Sequence, residues 1–126
     1  MIHKNKRTEV EWWDLHPRLR LILSDADLWC YLRGAEFTIT GLVRNDLEQW
    51  ALWKQGISAE KSVHQVWSGW GCGADARSLK TVELNQQLLD HINARYTYDL
   101  GRKDLKTVIR HMGTADHLHF QVRPGS

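Results

Sequence analysis

The chain has 126 residues, which suits a single domain and is long enough to bury a hydrophobic core. Hydrophobic residues make up 42% and charged residues 25% of it, a composition that excludes an intrinsically disordered chain. Its net charge of +2 is too balanced for a nucleic-acid-binding protein. No apolar run approaches the ~20 residues of a membrane span, and no apolar segment follows the basic first residues. We therefore expect no membrane insertion, and synthesis in the cytoplasm without a signal peptide.

The first half of the chain predicts two helices separated by a strand. Apolar side chains recur at helical spacing after His16, Pro17 suits the first helical turn, and Gly34 provides a stop. β-Branched residues alternate over residues 36–43, which predicts a strand. A short helix is expected over residues 45–56, capped by the asparagine or aspartate that opens it and ended by glycine.

The second half predicts three strands and one helix. Residues 57–73 look irregular, and a short strand is expected over residues 74–79. Thr81 begins the most strongly periodic helix of the chain, which ends near one of the next two tyrosines. Residues 106–111 and 117–122 predict two closing strands, joined most simply as a hairpin. Helices mixed with a sheet that we expect to be antiparallel define an α+β domain.

The cysteines and tryptophans allow predictions about redox state and burial. Cys30 and Cys72 are too few for a disulfide framework, so we expect both to be reduced. Cys72 is expected to be a small buried residue of a loop. Tryptophan is unusually frequent, with seven in the chain, and we expect Trp12, Trp13 and Trp29 to lie in the core.

Two clusters of residues have side chains suited to a metal ion. A catalytic zinc site needs imidazoles or carboxylates that converge from separate elements and leave a position open for water. One cluster is residues 62–64 followed by residues 71–75, and the other is residues 116–119 at the start of the last strand. His117 and His119 share one face of that strand because side chains alternate with period two. The pair alone is also compatible with surface histidines on an edge strand.

The two clusters belong to a larger ordered set of motifs that resembles a known family. The set consists, in chain order, of Phe37–Arg44, Ser62–His64, Gly71–Asp75 and Asp116–His119. Over residues 36–122 the chain resembles the zinc D,D-carboxypeptidase and L-alanyl-D-glutamate endopeptidase family, and within it small phage endolysins. The resemblance implies a Hedgehog/D,D-peptidase-like fold, with residues 1–126 as one peptidase-like domain and residues 1–35 as an N-terminal helical extension.

The same resemblance implies roles for five of these residues. His64, Asp75 and His119 would bind one Zn²⁺ per chain. Asp116 would be the general base, and Arg44 would stabilise the oxyanion or hold the substrate. These roles agree with the chemistry of the residues, since an unligated carboxylate can take a proton from bound water and an arginine is always charged.

The remaining candidates are residues that would contact the substrate. Ser62 would bind a substrate carboxylate, and His117 would face the same cleft. His64 and Asp75 are eleven positions apart, a longer interval than the seven usual in the family. We expect the extra residues, with Trp67 and Trp70, to cover the metal cleft and contact substrate.

We expect the chain to be a zinc metallopeptidase, a hydrolase that cleaves D-Ala-D-Ala or L-Ala-D-Glu bonds in the stem peptides of peptidoglycan. Such an enzyme would act in cell wall degradation after release or export by another factor, as a phage endolysin does. The alternative is a non-catalytic, zinc-stabilised cell-wall or virion binding module of the same fold. In that case the segment with Trp67 and Trp70 would be its contact surface.

Overall fold

The computed structural model describes residues 1–42, 54, 66–67, 70–112 and 115–124, and of residues 66–67 the backbone alone. The α-helices of this described part are α1 (Lys6–Glu11), α2 (Pro17–Leu32) and α3 (Val82–Arg95), with a 3₁₀ turn at Trp12–Asp14. Its strands are β1 (Ile2–His3), β2 (Thr38–Gly41), β3 (Val66–Trp67), β4 (Trp70–Gly71), β5 (Gly73–Arg77), β6 (Val108–His111) and β7 (His117–Gln121). These elements form a small α+β domain.

The two long helices begin and end where local chemistry dictates. The imidazole Nδ1 of His16 accepts a hydrogen bond from the backbone N–H of Arg18 at 3.0 Å, and proline occupies the first turn of α2. Gly34 follows the helix with a φ of +69°, a conformation that glycine adopts without strain. The Thr81 hydroxyl caps α3 by accepting from the backbone N–H of Leu84 at 3.1 Å. The structure confirms both predicted helices.

The main sheet has five strands in the order β1-β2-β5-β7-β6. The expectation of an antiparallel sheet holds for every pairing except that of β1, which runs parallel to β2, so the sheet is mixed. The backbone N–H of Ile2 donates to the carbonyl of Phe37, and that of Lys4 donates to Ile39, both at 2.9 Å. A strand of two residues is too short to show a period in the sequence, which explains why β1 was not predicted.

The helices α2 and α3 cover one face of the main sheet. Alternate residues of β5 and β7 are buried beneath them, namely Ala74, Ala76, Leu118 and Phe120. The Phe120 ring meets Phe37 edge to face at 5.7 Å between centroids. Because side chains alternate along a strand, the residues between these buried ones must lie on the opposite face of the sheet. Asp75 and His119 are among them.

Two expectations about individual segments need correction. Trp29 is 5% exposed and lies in the core, and Trp12 packs partly buried against it, but Trp13 is 69% exposed. Trp13 follows directly on Trp12 in the 3₁₀ turn, where adjacent side chains cannot face the same side. Within residues 57–73, β3 and β4 pair in antiparallel fashion, so this segment is not wholly irregular.

Three further expectations concern the predicted short helix, the two cysteines and membrane insertion. Of the short helix predicted over residues 45–56, only Lys54 is described, and it is helical. Cys30 and Cys72 are both free and buried, as expected. In the described part of the chain, no helix is long and apolar enough to cross a membrane.

Candidate metal centre

Asp75 and His119 form the centre of the candidate site. They stand directly opposite each other in the antiparallel pairing of β5 and β7. His119 Nδ1 lies 3.0 Å from Asp75 Oδ1, and the two side chains are only 13% and 16% exposed. The residues before and after Asp75, and those before and after His119, are apolar and buried in the core. Their burial places the Asp75 and His119 side chains on the other face of the sheet.

The Gln121 side chain contacts the second nitrogen of the His119 ring. Gln121 Nε2 donates to the carbonyl of Lys106 at 2.8 Å, and Gln121 Oε1 lies 3.2 Å from His119 Nε2. An amide oxygen only accepts hydrogen bonds, so His119 Nε2 carries a proton. A neutral His119 ring therefore presents the lone pair of Nδ1 to the Asp75 carboxylate. Two acceptors at this distance require a proton that they share or a cation that both groups bind.

His117 lies on the same face, two residues before His119. Its Nδ1 is 2.7 Å from the carbonyl oxygen of Ala115 and donates to it. The Nε2 atom of a neutral His117 ring is then an acceptor, and it lies 3.7 Å from Asp75 Oδ1. His117 therefore borders the candidate centre, on the same face of β7 as His119.

His111 joins this group from the neighbouring strand. It stands opposite His117 in the pairing of β6 and β7, with ring centroids 5.0 Å apart, and its centroid lies 5.7 Å from that of His119. Burial lowers the pKa of His111, and the nearby His119 and His117 rings lower it further. His111 was not among the site residues proposed from the sequence. The alignment of β6 with β7 places His111 directly opposite His117, which brings the two rings together.

Asp116, the predicted general base, is held by other partners. Arg110 Nε and Nη2 donate to its two carboxylate oxygens at 2.9 and 2.6 Å, and Ser78 Oγ donates at 2.8 Å. These hydrogen bonds, that of Arg110 first, lower the pKa of Asp116 to about 2. Arg110 stands opposite Leu118, on the helix-covered face, whereas His119 lies on the other face. The structure thus brings Asp75, His117 and His119 together and ties Asp116 to a different set of groups.

Trp70 contacts the first turns of α2. Its ring meets the His16 ring edge to face at 6.5 Å between centroids, and the Arg20 guanidinium carbon lies 5.9 Å from the indole centroid. Trp67 stands opposite Trp70 in the pairing of β3 and β4. The cover that these tryptophans were expected to form over the metal cleft stays a prediction.

Three predicted site residues, Arg44, Ser62 and His64, lie outside the described residues. Within the described ranges, no group of three or more histidine, cysteine, aspartate and glutamate side chains is arranged to hold a metal ion. Two of the three predicted ligands, Asp75 and His119, are in contact, and the position of the third, His64, is not described.

No protein-family model matches this chain, and no curated protein or solved structure matches it. The site is therefore defined by its own geometry. That geometry is a carboxylate and an imidazole facing each other across two strands, with further imidazoles beside them and an amide in contact with the His119 ring.

Proposed function

We propose that the chain is a zinc metallopeptidase that hydrolyses a peptide bond in peptidoglycan stem peptides, on a Hedgehog/D,D-peptidase-like fold. The observation that carries this proposal is the facing pair of Asp75 and His119, with the His119 ring oriented by Gln121. The order of the motifs along the chain supports the choice of family. D-Ala-D-Ala and L-Ala-D-Glu bonds are both candidates for cleavage.

The residues fit a zinc ion in type and in orientation. Zn²⁺ takes imidazole nitrogen and carboxylate oxygen as ligands, and Asp75 and His119 offer one of each. A histidine that binds metal through one ring nitrogen usually donates the other N–H to an acceptor, which is the role Gln121 Oε1 would have. His64 would complete the protein ligands.

The remaining residues of the site would bind and orient the substrate. When bound, a zinc ion of this kind acidifies a water molecule and polarises a carbonyl group. Arg44 would stabilise the negative charge that develops on the scissile carbonyl oxygen, and Ser62 would hold a substrate carboxylate. His117 Nε2, an acceptor beside Asp75, would receive a hydrogen bond from a backbone N–H of the stem peptide.

Asp116 would act as the general base in this proposal. Its carboxylate is ionised at neutral pH and can accept a proton, but a group with a pKa of about 2 is a weak base. Separation from Arg110 would raise its pKa toward the usual value of 3.8 and strengthen it. The proposal therefore requires the pair of Asp116 and Arg110 to open when substrate binds, and the Asp116 carboxylate to turn toward the face of the sheet that carries His119.

The same ion pair favours the second candidate function, a non-catalytic zinc-stabilised module that binds the cell wall or a virion. In that module Asp116 would keep its partners Arg110 and Ser78 permanently and fasten the hairpin of β6 and β7. Zinc would then hold β5 and β7 together without turnover.

The deciding experiment incubates the zinc-loaded chain with purified peptidoglycan and identifies the products by mass spectrometry. Released D-alanine indicates carboxypeptidase activity, and a new N-terminal D-glutamate indicates endopeptidase activity. His119→Ala should abolish product formation, while Asp90→Asn, on the exposed face of α3, serves as a control. Zinc binding without any product would support the binding module, and absence of zinc binding would overturn both functions.

A further inference from the structure

A cluster of two indoles and a guanidinium lies on the surface apart from Asp75 and His119. The Arg20 guanidinium carbon is 5.5 Å from the centroid of Trp13 and 5.9 Å from that of Trp70. The Trp13 side chain is exposed to the extent given above, and Trp70 is 36% exposed. We call these three residues the indole–arginine cluster.

The cluster contributes little to the stability of the fold. An indole as exposed as Trp13 gains little from burial, because hydrophobic stabilisation scales with the apolar area removed from water. Within the described part of the chain, Arg20 Nε is buried and has no hydrogen-bond partner, an arrangement that costs free energy. Tryptophan and arginine are enriched at the contact points of binding surfaces, so an exposed cluster of both is typical of a binding site.

Backbone contacts hold the cluster rigidly against the strand that leads to the candidate metal centre. The backbone N–H of His16 donates to the carbonyl of Gly71 at 2.9 Å, and Leu15 forms a β-bridge with the same glycine. Trp70 precedes Asp75 by five residues, so their Cα atoms lie no more than ~18 Å apart. A polymeric substrate could therefore contact the cluster and the metal centre together.

We propose that the indole–arginine cluster binds the glycan strand of peptidoglycan. The flat C–H faces of amino-sugar rings can stack on the indoles of Trp13 and Trp70. The guanidinium N–H groups of Arg20 can donate to sugar hydroxyl and acetamido oxygens. The choice of this glycan rests on the proposed function, but the cluster would contact the sugar part of the substrate and not the peptide bond that is cleaved.

Calorimetric titration of the full zinc-loaded chain with chitohexaose and with peptide-free glycan strands tests the proposal. Trp13→Ala should weaken binding of both by about two- to tenfold, the range expected for one aromatic stack. Arg20→Lys keeps the charge and loses the planar donors, so it should also weaken binding. Tyr31→Ala removes an aromatic ring that is 77% exposed near the other end of α2, and it should bind like the wild type.

These probes contain no peptide bond, so the outcome does not depend on peptidase activity. Absence of hydrolysis with glycan binding intact would reject the proposed function and retain the glycan surface. The glycan surface is overturned if the wild type does not bind either probe, or if Trp13→Ala binds as tightly as the wild type. A loss of melting temperature without a loss of binding would assign the cluster a structural role. Reduced self-association of Trp13→Ala in sedimentation, with saccharide binding unchanged, would assign it to a contact between copies.

Discussion

Gln121 Oε1 and His119 Nε2 lie 3.2 Å apart on the face of the sheet opposite the helices, while Nδ1 of the same ring faces Asp75. A glutamine two residues after a histidine on the same strand is a local arrangement, yet its effect extends across β5 and β7. In the proposed site, Nδ1 of His119 would then be the nitrogen that binds zinc.

Replacement of either facing residue should remove zinc. Asp75→Ala and His119→Ala each delete a ligand atom, so the metal content of reconstituted protein should fall well below one zinc per chain. His64→Ala should have the same effect. Elemental analysis after exhaustive dialysis measures the content, with Asp90→Asn as the control. An unchanged stoichiometry in all three variants would exclude the site.

Gln121→Ala should weaken zinc binding without removing it. Partners that orient a ligating histidine typically contribute about 10- to 100-fold in metal affinity, and we expect a loss in this range. Gln121→Glu retains an acceptor for the His119 N–H, so its affinity should stay close to that of the wild type. Competition with a chromophoric chelator gives both values. Equal affinity of the alanine variant and the wild type would show that Gln121 does not orient the ring.

The pair of Asp116 and Arg110 should make stability depend on pH in the acidic range. The pKa of Asp116 is lowered to about 2 in the folded chain from a usual 3.8, so its contribution is complete above about pH 4 and is lost as the pH falls toward 2. Arg110→Gln should reduce this dependence. Urea unfolding of both proteins across this range measures it, and identical pH profiles would contradict the pairing.

Asp116→Asn should retain zinc and lose most of the turnover. An amide cannot accept a proton from water, and removal of a general base typically lowers the rate by about 10²- to 10⁴-fold. Steady-state hydrolysis of a stem peptide, with metal content measured on the same sample, checks this. A wild-type rate in the asparagine variant would contradict the assignment of Asp116 as the general base.

The predicted cover formed by Trp67 and Trp70 should affect substrate binding. A soluble stem peptide without sugar isolates this effect from the glycan surface. We expect Trp67→Ala and Trp70→Ala to raise KM for this peptide, with melting temperature recorded separately. If both variants lose stability while KM and kcat stay unchanged, the segment only fills space.

The tryptophans of the N-terminal region should differ sharply in their contribution to stability. Trp29 lies in the core, and Trp29→Ala should cost about 3–5 kcal/mol of the free energy of unfolding. Trp13→Ala should change it by no more than about 0.5 kcal/mol, as is usual for surface substitutions. Chemical denaturation of the two variants provides the comparison, and a large loss for Trp13→Ala would contradict its position on the surface.

The elements that the sequence predicted correctly are those with strong local signals. Helix α2 has Pro17 in its first turn and Gly34 after its end, and α3 has its threonine cap, so neighbouring residues alone determine their limits. The resemblance proposed Asp75 and His119 as ligands of one metal ion. That they stand opposite each other was not predicted, because the pairing of β5 with β7 aligns residues 44 positions apart in the chain.

The features that the sequence did not predict depend on register between distant segments. The parallel pairing of β1, the position of His111 beside His117 and the pair of Asp116 with Arg110 each follow from how two strands align. Side-chain alternation gives the faces of a single strand but not its offset against a neighbour. The surface position of Trp13 likewise depends on which side of the 3₁₀ turn meets the core.

The alkylation rates of the two buried thiols report how often the folded chain opens and exposes them to solvent. Burial raises the pKa of the Cys30 thiol to about 11 and that of Cys72 above its usual value, so both stay protonated and resist alkylation. Cys72 immediately precedes β5, the strand that carries Asp75, whereas Cys30 lies in α2. A ligand that binds only the folded chain lowers the fraction of open molecules, and it does so more as its occupancy rises. The alkylation rate of Cys72 should therefore fall as zinc is added, with that of Cys30 as the internal reference.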